Sequence, residues 1–314
     1  MAVRTVYDSA AFRYGVRCYP TPPVLLAVVG RQVFDKEVRI QELHHRTLPQ
    51  DAPDLSRFGI ILTHYIERGG HGTVYLGKKD GRTVVVKQPA GAYFVSHFLR
   101  EIALLEEIKH RAVVTSLFSG KFNESPFLVT EYLDGKSLTS ILLDHHFSIK
   151  LSLLVAAEIC AGLSAVHACG VMHRDIKPDN IMMLRSGQLL KIIDFGISQK
   201  VAAPKNSGGY GTACYAAPEQ LGGICHDLRS DIYSVGVVLF QMLAHTLPRM
   251  ENDIGNLLKL HKTTPVPSPA KFRSMPKPVE EITMIAMAPN PNDRFNSAAH
   301  MHVALANAIS YLKL

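Results

Sequence analysis

Apolar residues change their spacing along this chain. Between residues 58 and 129 they come in short runs bounded by glycine and polar residues: 58–62, 74–76, 84–86 and 127–129. Runs of this length, rich in Val, Ile, Phe and Tyr, predict strands, with a glycine-rich turn between Ile66 and Val74. Across residues 97–110 the spacing shifts to three and four, which places Phe98, Ile102, Leu105 and Ile108 on one face of a helix. Beyond Gly135 the chain reads as mostly helical. The stretches 151–168 and 230–244 are apolar on nearly every side, so the helices they predict are buried. A strand-rich first part followed by a helix-rich second part predicts an α+β, two-lobed architecture with a ligand site at the interface. Residues 265–278 carry five prolines between two late helices and read as a connecting loop.

Residues 1–56 follow neither pattern. They combine Pro20, Pro22 and Pro23 with an apolar run, 24–29, and a mixed-charge stretch, and are expected to hold short strands and loops. Two readings stay open for this extension: an ordered segment packed on the small lobe, or a flexible tail.

Composition narrows the class. The chain has 314 residues, 47% hydrophobic and 19% charged, enough for one large core or two moderate ones. Its net charge of +7 is mildly basic, but no run of five or more Lys or Arg occurs, so a nucleic-acid partner is not expected. Five cysteines, an odd number without a CxxC pair, argue against a disulfide framework or a zinc site and suit a reducing cytoplasm. No apolar run approaches the length of a membrane span, the longest candidate being 24–29, and Asp8 interrupts any signal-peptide pattern, so neither a span nor a signal peptide is expected.

The chemistry concentrates in His173-Arg174-Asp175-Ile176-Lys177-Pro178-Asp179-Asn180, followed fourteen residues later by Asp194-Phe195-Gly196. Phosphoryl transfer needs a positioned nucleophile and neutralised phosphate charge more than covalent help. Asp175 can accept a hydrogen bond from a substrate hydroxyl, Lys177 can reach the transferring phosphate, and Asn180 and Asp194 offer hard oxygen ligands suited to Mg²⁺.

These motifs identify residues 57–312 as resembling the Hanks-type Ser/Thr protein kinases. The phrasing of Gly211-Thr212-Ala213-Cys214-Tyr215-Ala216-Ala217-Pro218-Glu219 and of Ser230-Asp231-Ile232-Tyr233-Ser234 is similar to the bacterial branch. The resemblance implies a small lobe over 57–130, a hinge over 131–135 and a large lobe over 136–312. It implies ATP with Mg²⁺ or Mn²⁺, protein substrates bearing Ser or Thr, and autophosphorylation, with an ATP-binding scaffold as the alternative. Catalytic roles pass to Asp175, Lys177, Lys87 and its ion-pair partner Glu101. Nucleotide contacts pass to Ile66, Gly69, Gly72, Val74, Lys87, Glu131, Leu133, Asn180 and Asp194, the last two holding the metal. Thr130, a small residue, would control access behind the adenine. Glu67 stands where the family has its first loop glycine, and either weakens nucleotide affinity or points to solvent. Thr212 would shape the substrate platform, and Ser207 is either an autophosphorylation site read by Arg174 or a solvated serine. Structural roles pass to Arg174, to Glu219 paired with Arg294, and to Asp231 capping the catalytic loop. Residues 1–56 are a candidate site for a regulatory partner.

Overall fold

A computed structural model describes residues 47–69, 72–185, 189–200, 213–223, 227–251 and 253–312. The expected strand at 24–29, Ser207 and Thr212 lie outside these residues. The small lobe is a five-stranded antiparallel sheet of β1 (Ile60–Arg68), β2 (Gly72–Lys79), β3 (Arg82–Pro89), β4 (Ser116–Phe122) and β5 (Ser125–Glu131), ordered β1-β2-β3-β5-β4. Period-two alternation on β3 sends Val84 and Val86 into a core with Ile60, Tyr75, Phe127 and Val129, and turns Lys87 to the opposite face. Register places Lys87 opposite Val74 on β2 and Leu128 on β5. Leu55, ahead of the expected boundary at 56, is 1% exposed within the same core.

Helix α1 (Val95–Glu107) covers this sheet with Phe98, Ile102, Leu104 and Leu105, and Glu101 is buried among them. Two expected edges shift. The strand reading of 58–62 begins instead at Ile60, because Ser56–Phe58 forms a 3₁₀ turn that ends at Gly59 in the left-handed region (φ 69°). The glycine-rich turn is shorter than Ile66–Val74, because β1 and β2 stay paired from Arg68 and Thr73 outward.

The large lobe is built around two helices buried almost all round, α3 (Ile149–Ala168) and α5 (Arg229–Ala244), as their unbroken apolar character predicts. Around them lie α2 (Leu138–Asp144), α4 (Pro218–Leu221), α6 (Ile254–Thr263), α7 (Lys277–Ala286) and α8 (Ala298–Tyr311). Among the described residues α3 alone is long and apolar enough to cross a membrane; 72% of its apolar window is buried, as befits a core helix. Helix starts are set by side-chain caps: Ser148 accepts from the Leu151 amide, and Asp253 from the Asn256 amide. The proline-rich stretch connects α6 to α7 through one 3₁₀ turn, Pro269–Lys271.

The expectation of a mostly helical second part missed the small sheets that carry the site. β6 (Gly135–Ser137), β8 (Ile181–Leu184) and β9 (Leu190–Ile192) form one; β7 (Val171–Met172) pairs with β10 (Gln199–Lys200). These strands are two to four residues long, too short for a periodic signal. They hold the loops 173–180 and 193–198 at the face of the large lobe.

Candidate active site

Lys87 is the meeting point of both lobes. Its Nζ donates to Glu101 Oε1 and Oε2 at 2.8 and 3.0 Å and to Asp194 Oδ1 at 3.0 Å. Burial alone would discharge the ammonium, but the two carboxylates outweigh it and raise the Lys87 pKa. Asp194 resists its own burial through Lys87 and the Gly196 amide, which hold its carboxyl down to about 2. Glu101 differs. Burial pushes its carboxyl up, Lys87 opposes this, and the neighbouring Asp194 charge adds to the rise. Asp194 adopts a left-handed backbone (φ 60°), uncommon for a residue with a side chain, and this turn aims it at Lys87.

The second cluster stands on the large lobe. Asp175 Oδ2 lies 2.8 Å from Lys177 Nζ and accepts from Asn180 Nδ2 at 2.9 Å. The same Nδ2 donates to the Asp175 carbonyl at 2.8 Å, which closes the loop on itself. Asp231, at the start of α5, accepts from the His173 and Arg174 amides, both at 2.8 Å. Its burial alone would favour the neutral acid. His167 at 2.8 Å and these amides reverse that and lower its pKa. His173 stacks edge-on to Phe195 at 4.7 Å, joining the two loops, and burial lowers its pKa. Arg174 is left-handed (φ 69°) and 8% exposed, and its carbonyl accepts from Gln220 Nε2 at 2.7 Å.

The roof and the hinge close the cleft. The Gly69 amide donates to the Gly72 carbonyl at 2.8 Å, which makes the tight turn between β1 and β2. A Cβ on Gly72 would collide with the Gln88 carbonyl, so only glycine lets β2 start this close to β3. Ile66 and Val74 are half-buried on the paired strands, and Glu67 is an exposed residue opposite Val74. Glu131 ends β5 and Leu133 packs on the large-lobe core between the lobes. Thr130 lies one step before Glu131, opposite Val85 on β3.

Below the site, Glu219 accepts from both Arg294 terminal nitrogens at 2.6 and 2.8 Å and from Ser230 at 2.7 Å. Burial alone would raise its pKa, but these bonds lower it. The structure thus gathers Lys87, Glu101 and Asp194 in one group, Asp175, Lys177 and Asn180 in another, and Glu219 with Arg294 apart from both.

Two residues escaped the sequence. His167 ends an apolar helix and its pairing with Asp231 spans 64 positions. Lys191 is a lone charge in an apolar run, a signal of a buried pair that names no partner; it meets Glu131 at 2.7 Å.

Comparison with known proteins agrees with this geometry. The chain is 32% identical over 264 residues to serine/threonine-protein kinase Pkn1 of Myxococcus xanthus, covering 79% of this chain and 38% of that protein. It is 32% identical to serine/threonine-protein kinase A of Synechocystis over 74% of this chain and 50% of the relative. To serine/threonine-protein kinase PknB of Mycobacterium tuberculosis it is 32% identical over 82% of this chain and 44% of the relative. The chain thus spans half or less of the length of these relatives. Residues 62–305, which include the roof, hinge, both loops and Arg294, match the family described as Protein kinase domain. The chain belongs to the protein kinase domain family.

Proposed function

We propose that this chain is a Ser/Thr protein kinase that transfers the γ-phosphoryl group of ATP to protein hydroxyls and phosphorylates itself. The observation that carries this reading is the pairing of Lys87 with both Glu101 and Asp194, beside an Asp175–Lys177–Asn180 cluster with every charged position filled. Three relatives named as serine/threonine-protein kinases support the substrate class, as does Lys177 two residues after Asp175.

The family uses ATP and a divalent metal. The donor set fits Mg²⁺, with Mn²⁺ as a substitute. Asp194 is ionised and half-exposed to the cleft, and Asn180 spends its nitrogen on Asp175, which leaves its amide oxygen to offer. When bound between Asn180 and Asp194, the metal would supply positive charge that offsets that of the ATP phosphates. The rest is the chain's own work. Lys87, fixed by Glu101, pairs with the α- and β-phosphates. The Gly69–Gly72 turn presents backbone amides from above. The Glu131 carbonyl and Leu133 backbone hold the adenine. Asp175 accepts the hydrogen bond of the incoming hydroxyl and orients it in line. Lys177, already 2.8 Å from Asp175, balances charge as the phosphoryl group moves, and no covalent enzyme intermediate forms.

The same reading includes further roles. Ser207, in an activation segment with Lys200 and Lys205, is the proposed autophosphorylation site. A phosphate there would pair with Arg174 and order the segment, with Thr212 shaping the substrate platform. The division is an extension, 1–56, that recruits a regulatory partner, followed by the kinase domain, 57–312. A cytoplasmic location suits the free thiols of Cys160, Cys169 and Cys214.

The test is radiolabelled ATP transfer by purified protein with Mg²⁺, beside Asp175→Asn, followed by phosphoamino-acid analysis. Label on Ser or Thr in wild type alone is expected, with phosphate at Ser207 by mass spectrometry. ATP binding without transfer to itself or to generic substrates would overturn the reading in favour of a scaffold.

A further inference from the structure

Lys191 sits in the middle of β9, between Leu190 and Ile192, and is 5% exposed. A buried ammonium is costly unless its donors are met. Here they reach Glu131 Oε1 at 2.7 Å and the Val113 carbonyl at 3.1 Å. Phosphoryl transfer as derived above gives this lysine no task.

Its partners define one. The Glu131 carboxylate also accepts from the Thr115 amide at 2.7 Å, and the Glu131 amide donates to the Thr115 carbonyl at 3.1 Å. The last residue of β5 is therefore gripped by side chain and backbone together. The segment 112–115 that grips it is fixed to the large lobe. Val113 bridges Ile192 in parallel, the Ile192 amide donates to the Ala112 carbonyl at 2.8 Å, and the Val114 amide donates to the Ile192 carbonyl at 3.0 Å. Arg111 adds an ion pair to Glu158 of α3 at 2.8 Å. A Cβ at Gly162 of α3 would come within 3.1 Å of the Ala112 carbonyl, so the approach is close. Lys191 thus reaches from a fixed pad to the Glu131 carboxylate and Thr115 to both its carboxylate and its amide, and the carbonyl of the same residue meets adenine in the ATP reading of the cleft. β9 runs on to Asp194 two residues beyond its end, so one strand supports both ends of the nucleotide.

We propose that Lys191 is a positioning residue for the adenine end of the nucleotide site, acting through the Glu131 carboxylate. The inference rests on the ATP reading. It requires a cation of suitable length at 191, which arginine supplies and methionine does not.

The experiment measures adenosine and Mg·ADP binding to the full chain by calorimetry. Adenosine carries no phosphate, so it reports the adenine end alone. In Lys191→Met, adenosine and ADP affinities are expected to fall by the same factor, about tenfold. In Lys87→Met, ADP affinity falls while adenosine affinity holds. Lys191→Arg is expected to recover adenosine binding to within about threefold of wild type. Glu131→Gln provides a second variant should Lys191→Met not fold. It lowers adenosine affinity too, and in a folding pair the double variant is no worse than the poorer single, because both cut one linkage. Adenosine affinity in folded Lys191→Met within about twofold of wild type overturns the proposal. So does equal impairment of the Met and Arg variants. Wild type that binds neither ligand would remove the ATP reading itself, and this inference with it.

Discussion

Glu101, buried in the cleft, and Glu219, partly buried in the large lobe, are both carboxylates held by a basic side chain. Their surroundings drive them in opposite directions. Glu219 meets two nitrogens of Arg294 and the Ser230 hydroxyl, and Arg294 spends its remaining donors on the carbonyls of Arg229, Ala288 and Pro289. That pair is saturated, and the Glu219 carboxyl is held below its ordinary range. Glu101 must share the Lys87 ammonium with Asp194, and its carboxyl is pushed up by burial and the second negative charge. The structural pair is complete in itself. The cleft pair carries surplus negative charge, which a divalent cation beside Asp194 would neutralise.

The comparison breaks most visibly at Asp194. Asp194→Asn removes the oxygen proposed to hold the metal, and phosphoryl transfer is expected to fall about 10⁴-fold, roughly 5 kcal/mol in the barrier. Urea unfolding of the same variant at pH 7 should show a modest loss of stability, because the amide gives up the ionised contact with Lys87 that holds the part-exposed Asp194 carboxyl down to about 2. A loss as large as that expected for Arg294→Ala would mean that the cleft carboxylate supports the fold as Glu219 does. Arg294→Ala is the mirror case. It leaves the partly buried Glu219 without its cation, and unfolding midpoints should report a loss of about 3–5 kcal/mol. A loss under about 1 kcal/mol would show that the site relaxes and that saturation is not what holds it. Glu101→Gln lies between the two. Transfer is expected to drop about 10–100-fold, while stability stays within about 1 kcal/mol, because an amide relieves the repulsion it replaces.

The sequence yields these two sites unequally. Asp175, Lys177, Asn180 and Asp194 could be singled out because they lie on short loops whose spacing the chemistry constrains, and Lys87 only through the resemblance to the family. Glu101 could be placed on a helix face, yet its 3% exposure depends on a sheet folded from other segments. Other features left little local trace. The positive φ of Arg174 runs against residue type, while Asp194 is of a type that tolerates it; Asp231 bonds the Arg174 amide and Lys87 the Asp194 carboxylate. His167 reads as an ordinary residue because its partner lies 64 positions away, and Lys191, though conspicuous as a lone charge among apolar residues, does not reveal its partner 60 positions away. Leu55 reads as linker until the small-lobe core closes over it.

Acid titration offers the finest test, because the two glutamates should bend the stability curve in opposite senses. Glu219 titrates below 4.5 in the folded chain and near 4.5 in the unfolded one. As pH falls through that window the unfolded chain takes up more protons, so the stability Glu219 contributes is present above 4.5 and lost below it. Glu101 titrates above 4.5 when folded, so there the folded chain takes up more protons. Its burial penalty is present at neutral pH and is relieved as pH falls toward 4.5. Each effect is limited to about 1.4 kcal/mol per pH unit across its window. Urea unfolding of wild type against Glu219→Gln should show an advantage for wild type that shrinks below pH 4.5. Against Glu101→Gln, wild type should gain as pH is lowered toward 4.5. If both differences move in the same direction, the two carboxylates share one environment and the cleft carries no surplus charge.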